Sequence, residues 1–394
     1  MLNECLESSE YFALLGAAQL NSGLIAQASE SLERSLLLDP DNGSAQIDYS
    51  QALYESGQLF SALELNRQLL GRQDLPANLR GLLLSRNEEW LGQTKQLDFQ
   101  LDVLAGYDSN LNGAPTPDQI TLTLSGESVI LPLNPDFKAI SGAYATLRLG
   151  GRYRELAADH QTNWTTQIRG RFSQDSDSDL LQIDSRYAYI KPSRERSWQV
   201  DAGVSNLFFG GDALYTAIEG RARYQARTDS TCKPYYSLAL QHQLFHDQSS
   251  LNALESKGSL GMNCPLGNSF ANQLVTAEVS VLMNKAANSG RPGGDRGGWQ
   301  ANIQWQYPSP IGLFLAQLNY TSIEDRDGYS PLLVGGTERW LERSYALLQF
   351  RRPVQVFGKN TTFMTNIYHQ DQRSNIELFR TEDTTFEMGL SLSF

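Results

Sequence analysis

From Leu97 to Phe394 the chain keeps a hydrophobic period of two. That period marks strands with one face in an apolar environment and the other in a polar one. In AIEGRARYQA, Ile218, Gly220, Ala222, Tyr224 and Ala226 share one face, while Glu219, Arg221, Arg223 and Gln225 share the other. The chain closes on FEMGLSLSF, where Phe386, Met388, Leu390, Leu392 and Phe394 alternate with Glu387, Gly389, Ser391 and Ser393. About fourteen such segments begin near 97, 139, 163, 178, 197, 213, 233, 252, 269, 297, 312, 339, 360 and 380. Each is long enough to cross a bilayer as a tilted strand, which takes about 9–11 residues. The connections alternate in length. The stretch 111–138, rich in Pro, Asp and Asn, is long, as are DQSSLNALES, KAANSGRPGGDRGG and EDRDGYSPLLVGGTER; LAADHQ and PSPIG are short. Two connections on the long side, around Asp177 and Gly211, are short and break the trend. Long loops outside and tight turns in the periplasm are the habit of bacterial outer-membrane barrels. An even strand count puts both ends of such a barrel on the tight-turn side. FEMGLSLSF is then the closing strand, with apolar residues toward lipid and small polar residues toward the lumen.

Residues 8 to 92 carry helical spacing instead. Gly23 and Gly57 are 34 residues apart, as are Ala28 and Ala62. A helix-turn-helix unit of that period is the tetratricopeptide pattern. Leu15, Gly16 and Pro40 fall at its offsets in the first unit, Asp74 replaces the usual Pro in the second, and a third helix is expected from about Pro76 to Leu91. The predicted fold is therefore mainly β: an antiparallel transmembrane β-barrel of about fourteen strands over 97–394, with a small α-helical tetratricopeptide-like domain over 1–96.

Composition agrees with this. The 394 residues are 40% hydrophobic, mean hydropathy is −0.39, and no run of 18 apolar residues occurs. Membrane-crossing helices are excluded on that ground; strands are not. The net charge of −12 argues against nucleic acid as a partner. The N-terminal MLNECLESSE has no basic segment leading into an apolar one, so an export signal is expected upstream or already trimmed.

Little points to bond chemistry. There is no GxSxG, HExxH, P-loop or dinucleotide motif. Cys5, Cys232 and Cys264 form no CxxC pair, and His242 and His246, four apart on a strand, stand about 13 Å from each other. No metal and no cofactor is expected. Cys232 and Cys264 sit instead at the two feet of one predicted hairpin, at the periplasmic rim. Paired strands lie about 5 Å apart, within disulfide reach, in an oxidising compartment. A Cys232–Cys264 bond is predicted, with Cys5 left over. The polar faces of the early strands carry a basic constellation: Arg148, Arg152, Arg169, Arg171, Arg186, Arg221 and Arg223, with Asp184 and Glu219 among them. Such a lining either closes the lumen by ion pairs or attracts an anionic cargo.

Directly after the helical region comes LDFQLDVLAGYDSNLNGAP. Its core, Gly106, Tyr107, Asp108, Ser109, Asn110, Leu111 and Asn112, resembles the GYDSN segment that opens the barrel in the surface lipoprotein assembly modulator family. The resemblance implies periplasmic tetratricopeptide repeats joined to a 14-stranded outer-membrane barrel that helps lipoproteins reach the cell surface. Read on its own chemistry, the motif is a turn at the outer rim, because Asn and Asp tolerate left-handed backbone and bond locally. A terminal Phe394 on the closing strand is similar to the recognition signal of outer-membrane barrel proteins.

Together these readings point to a non-enzymatic secretion helper in the bacterial outer membrane, its repeats in the periplasm. Its expected partners are outer-membrane lipid, the barrel assembly machinery, and an exported lipoprotein or other protein captured by the repeats. The alternatives are a polysaccharide export porin whose repeats recruit periplasmic enzymes and, third, an outer-membrane lipid-modifying enzyme.

Overall fold

The computed structural model describes residues 7–193, 196–226, 230–267, 273–356 and 358–394. Cys5 and the strand start expected near 269 lie outside the described residues. The chain divides into two compact units, Met1–Gln96 with Glu155–Ala158, and Leu97–Arg154 with Asp159–Phe394.

The first unit holds five described helices: α1 (Ser9–Asn21), α2 (Ile25–Leu38), α3 (Gly43–Glu55), α4 (Leu59–Leu70) and α5 (Ala77–Gln93). Ser8 caps α1 by accepting the Tyr11 N–H at 3.3 Å, and Asn42 caps α3 by accepting that of Ala45 at 3.1 Å. Gly23 and Gly57, at φ +74° and +82°, follow α1 and α3 and let the chain double back. Ala28 and Ala62 are fully buried in α2 and α4, so the 34-residue spacing sets equivalent small residues at two helix contacts. The core is three small clusters, centred on Leu32 and Ala52, on Leu69 and Leu83, and on Leu53 and Trp90. The Trp90 ring stacks on Tyr54 at 4.8 Å.

The strand series begins with β1 (Lys95–Asp108), β2 (Gln119–Leu124), β3 (Glu127–Pro132), β4 (Gly142–Leu156), β5 (Gln161–Ser173), β6 (Leu180–Pro192), β7 (Arg196–Phe209) and β8 (Asp212–Ala226). It continues with β9 (Lys233–Phe245), β10 (Ala253–Leu266), β11 (Gln273–Ala286), β12 (Arg296–Ser309), β13 (Gly312–Gly328), β14 (Glu338–Val356), β15 (Lys359–Ser374) and β16 (Thr381–Ser393). All but β2 and β3 form one closed antiparallel barrel of fourteen strands. β1 closes on β16, with Asp102 opposite Ser391, Leu104 opposite Gly389 and Gly106 opposite Glu387.

The pair β2–β3 corrects the expectation of a plain connection over 111–138. QITLTLSGESVILP has an alternation of its own, and Ser125 and Gly126 both take positive φ, 54° and 88°. Two central residues in that region make a tight hairpin turn matched to strand twist. The hairpin is tied to two other loops. The Thr121 N–H and hydroxyl donate to the Glu377 carboxylate at 2.7 and 2.9 Å, and the Gly335 N–H donates to the Thr123 hydroxyl at 2.9 Å. Loops that join strands at this end are thereby knitted together.

Along each barrel strand one face is apolar and exposed. Val103, Leu238, Val281, Leu318, Leu348 and Met388 all point outward. At the short-turn end the outward face carries Trp164, Trp198, Tyr224, Tyr236, Trp305, Tyr307, Phe314 and Phe350. Neighbouring rings touch around it, Trp198 on Tyr224 at 4.6 Å and Phe314 on Phe350 at 4.8 Å. Amphipathic rings collected at one level suit a lipid–water interface. In β16, Glu387 and Ser391 are buried inward while Phe386 and Met388 face out.

The seam needs Gly106. A Cβ there would stand 2.5 Å from the Phe386 carbonyl oxygen and 2.7 Å from the Tyr144 ring. Gly106→Val is expected to cost about 1–3 kcal/mol by overpacking and to lower the heat-modifiable, folded fraction on a gel. Gly220→Val, where nothing lies within 4 Å of the added Cβ, should assemble normally.

Candidate functional site

The inward faces of fourteen strands bring together side chains far apart in sequence, so the lumen is one place where a site can form. Its basic constellation is largely neutralised. Arg148 pairs with Asp102 at 3.1 Å, Arg152 with Asp98 at 2.9 Å and Arg171 with Asp108 at 2.8 Å. Arg186 bonds to Asp201 and reaches Glu219 at 3.1 Å; Arg221 meets the same Asp201 at 3.1 Å. Asp102 and Asp201 have no exposed side-chain surface. A buried carboxylate without such partners would be costly, so the pairs hold strands at fixed register. Arg223 lies 3.6 Å over the Tyr235 ring instead. Among the described residues Asp184 makes no ion pair, and neither does Arg169, whose Nε is buried without a partner.

Of the acids that do this neutralising, Asp98, Asp102 and Asp201 were not singled out from the sequence, and Asp108 was read only as part of the rim turn. The signal existed: in QLDFQLDVL the period of two puts Asp98 and Asp102 on the same face as the polar Gln100, opposite Phe99 and Val103.

Glu387 was missed as well. It is fully buried, and its carboxylate accepts from Asn366 Nδ2 at 2.7 Å, Tyr368 OH at 2.9 Å and Tyr144 OH at 3.2 Å. Tyr144 reaches it from β4 by lying across Gly106 of β1. The same device recurs elsewhere: Tyr235 of β9 lies across Gly261 of β10 and donates to Glu278 of β11 at 2.8 Å. Glycine on the middle strand is what lets the ring pass.

The rim segment makes a local turn with remote ties. Asp108 accepts the Asn110 N–H at 2.7 Å, and Asn110 exchanges bonds with Ala114 at 2.8 and 2.9 Å. Ser109 donates to Asp383 at 3.1 Å and accepts the Thr384 N–H at 2.8 Å. Asn112 holds the far end of the loop, donating to the Lys138 carbonyl at 2.9 Å and accepting the Ile140 N–H at 3.0 Å. Tyr107 points outward and is exposed.

A second charged cluster lies across the ring. Asp325 pairs with Arg296 and Arg339, each at 3.0 Å. Arg291, in the loop after β11, is buried beside them and donates to Asn284 at 2.5 Å. Burial pushes its guanidinium below the usual arginine range.

Toward the short-turn end the lumen wall carries two recesses. One cavity of about 560 Å³ is lined by Asp98, Gln100, Arg152, Asp184, Arg186 and Ser393. Another, about 460 Å³, shares Gln100 and Ser393 with it and adds Arg351, Thr362 and Ser391. Cys232 and Cys264 are joined in a disulfide at the same end, where β9 begins and β10 runs out. Phe394 is exposed, and its backbone exchanges hydrogen bonds with Phe99 at 2.9 and 3.2 Å. In the helical unit a groove of about 320 Å³ lies between α3 and α5, lined by Ile47, Asp48, Leu69, Leu75 and Leu79. Burial raises the Asp48 carboxyl above its usual range, with Arg86 acting against it.

No protein-family model and no curated protein matches the sequence. Solved structures do. OmpT of Vibrio cholerae, in a form lacking loop L8, is 8% identical and covers 76% of this chain and 100% of its own at a TM-score of 0.40. An anion-selective porin from Comamonas acidovorans is 10% identical, with 76% and 99% covered and a TM-score of 0.39. A FadL homologue from Pseudomonas aeruginosa is 10% identical, with 76% and 89% covered and a TM-score of 0.37. At these values the likeness adds nothing to what the strand topology states.

Asp201 is the acceptor that two arginines share. Asp201→Asn is expected to destabilise the barrel by about 1–3 kcal/mol, read as a lower midpoint of the heat-induced gel shift. Adding Arg221→Gln should recover part of that loss, since one unmatched cation is then gone.

Proposed function

We propose that the protein is an outer-membrane transport protein that passes a lipoprotein or other secreted protein to the cell surface, with its helical unit in the periplasm. The observation that carries this is the joining, in one chain, of a closed fourteen-stranded barrel with a ring-girdled apolar exterior to a unit of repeated helical hairpins. The chain enters the barrel at the short-turn end and leaves it there at Phe394. The resemblance of Gly106–Asn112 to the surface lipoprotein assembly modulator family supports the cargo class. The 34-residue spacing of Gly23 and Gly57 supports a tetratricopeptide role in capture. In this reading the apolar groove at Ile47, Leu69 and Leu79 receives a side chain of the cargo or its chaperone, and the barrel supplies the route. Binding and passage, rather than bond chemistry, are the work done. Phe394 serves as the signal read by the barrel assembly machinery.

Protease shaving of intact cells tests the cargo class. A surface lipoprotein should become protected when the gene is deleted and accessible again on complementation. Leu79→Asp should lower its exposure several-fold while leaving the folded barrel unchanged. Lipoproteins equally exposed in all strains would overturn the reading.

A further inference from the structure

The neutralisation of the lumen is uneven. Arg148, Arg152, Arg171, Arg186 and Arg221 each face an acid. On β14 the situation differs. Among the described residues Arg343 donates only to the Gln372 amide oxygen, at 2.8 and 2.5 Å. Eight residues further along the same strand, and on the same face, Arg351 forms no ion pair among the described residues, and its Nε is buried with no acceptor. Its cross-strand neighbours are Leu313 on β13 and Met364 on β15, both apolar. An arginine is nearly always protonated, and a buried donor without an acceptor is costly. The residue as a whole is only partly buried, so the rest of its guanidinium is open to an acceptor from solution.

The surroundings say which acceptor. Among the described residues Arg351 is the one charged side chain lining the 460 Å³ cavity, and no carboxylate lines it. Hydroxyls of Thr362, Ser391 and Ser393 share the wall. A fixed cation beside neutral hydroxyl donors, on the wall of a recess open to the lumen, is a fitting environment for a compact oxyanion. The space admits that group alone or on a solute of roughly monosaccharide size. The neighbouring cavity is different in kind, because Asp98 and Asp184 line it together with Arg152 and Arg186. That contrast directs an anion toward β14 and not toward β5 and β6.

We propose that the lumen binds a soluble oxyanion, as a phosphate, sulfate or carboxylate group, at Arg351 near its short-turn end. The site does not depend on which protein, if any, the barrel exports. Its test uses no cargo, so its failure and that of the transport reading are separable.

The experiment is calorimetric titration of the whole protein, folded in detergent at low ionic strength, with three probes: inorganic phosphate, glucose 6-phosphate and glucuronate. Arg351→Gln keeps size and hydrogen bonding but removes the charge. Arg352→Gln is the control, because Arg352 is exposed on the opposite face of the same strand and its loss changes net charge equally. Binding of at least one probe, weakened tenfold or more by Arg351→Gln and unchanged by Arg352→Gln, is the expected result. Tighter binding of phosphate than of the sugar phosphate assigns a free anion; the reverse assigns an anionic group on a sugar. Equal affinity in both variants, or no heat with any probe on the folded wild-type protein, would overturn the proposal.

Discussion

The hydrogen bonds that join β1 to β16 are what the rest of the molecule depends on. A sheet with an apolar exterior has no water beside it to satisfy an open edge, so every edge group must find a partner in the sheet itself. Closure requires the first and last strands to meet in one register, and small residues make that register possible. Gly106 and Gly389 sit at the meeting of the two strands, where a Cβ on either would strike the opposite backbone. The space they leave is used: the Tyr144 ring crosses Gly106 to reach Glu387, so that three strands are tied by one side chain.

Once the ring is closed, the lumen becomes a place where charge must be balanced locally. Asp102, Asp108, Asp201 and Asp325 are all buried, and each is met by at least one arginine from a nearby strand. The paired groups act as cross-ties, and the polar lining is structural over most of its extent. The long loops extend the same logic. Arg171 reaches beyond Asp108 to the Leu111 carbonyl at 2.6 Å, and the β2–β3 hairpin is pinned to Glu377. Among the described residues Arg169, Arg223, Arg343 and Arg351 form no ion pair, and a cation without an acid partner is where a solute can be held.

Much of the architecture was legible in the order of residues. The period of two from Leu97 onward announced fourteen strands, several of whose starts fall at or beside the expected positions, such as 233, 312 and 339 against Lys233, Gly312 and Glu338. The faces of FEMGLSLSF were also legible. Both follow from local physics: each strand meets an apolar medium on one side and a polar lumen on the other, so its own sequence must alternate. The β2–β3 hairpin escaped notice because a Pro- and Asp-rich context concealed two short alternating runs.

The sites were another matter. That Arg148, Arg171 and Arg221 point inward can be read along each strand. That they are matched by Asp102, Asp108 and Asp201, while Arg351 forms no ion pair among the described residues, depends on the stagger between neighbouring strands and on which strands become neighbours when the ring closes. Glu387 and Gly106 lie 281 residues apart and stand directly opposite each other. Alternation is a property of one strand in its surroundings and is written in one stretch of sequence. Charge balance belongs to the closed ring, and only the tertiary structure decided it.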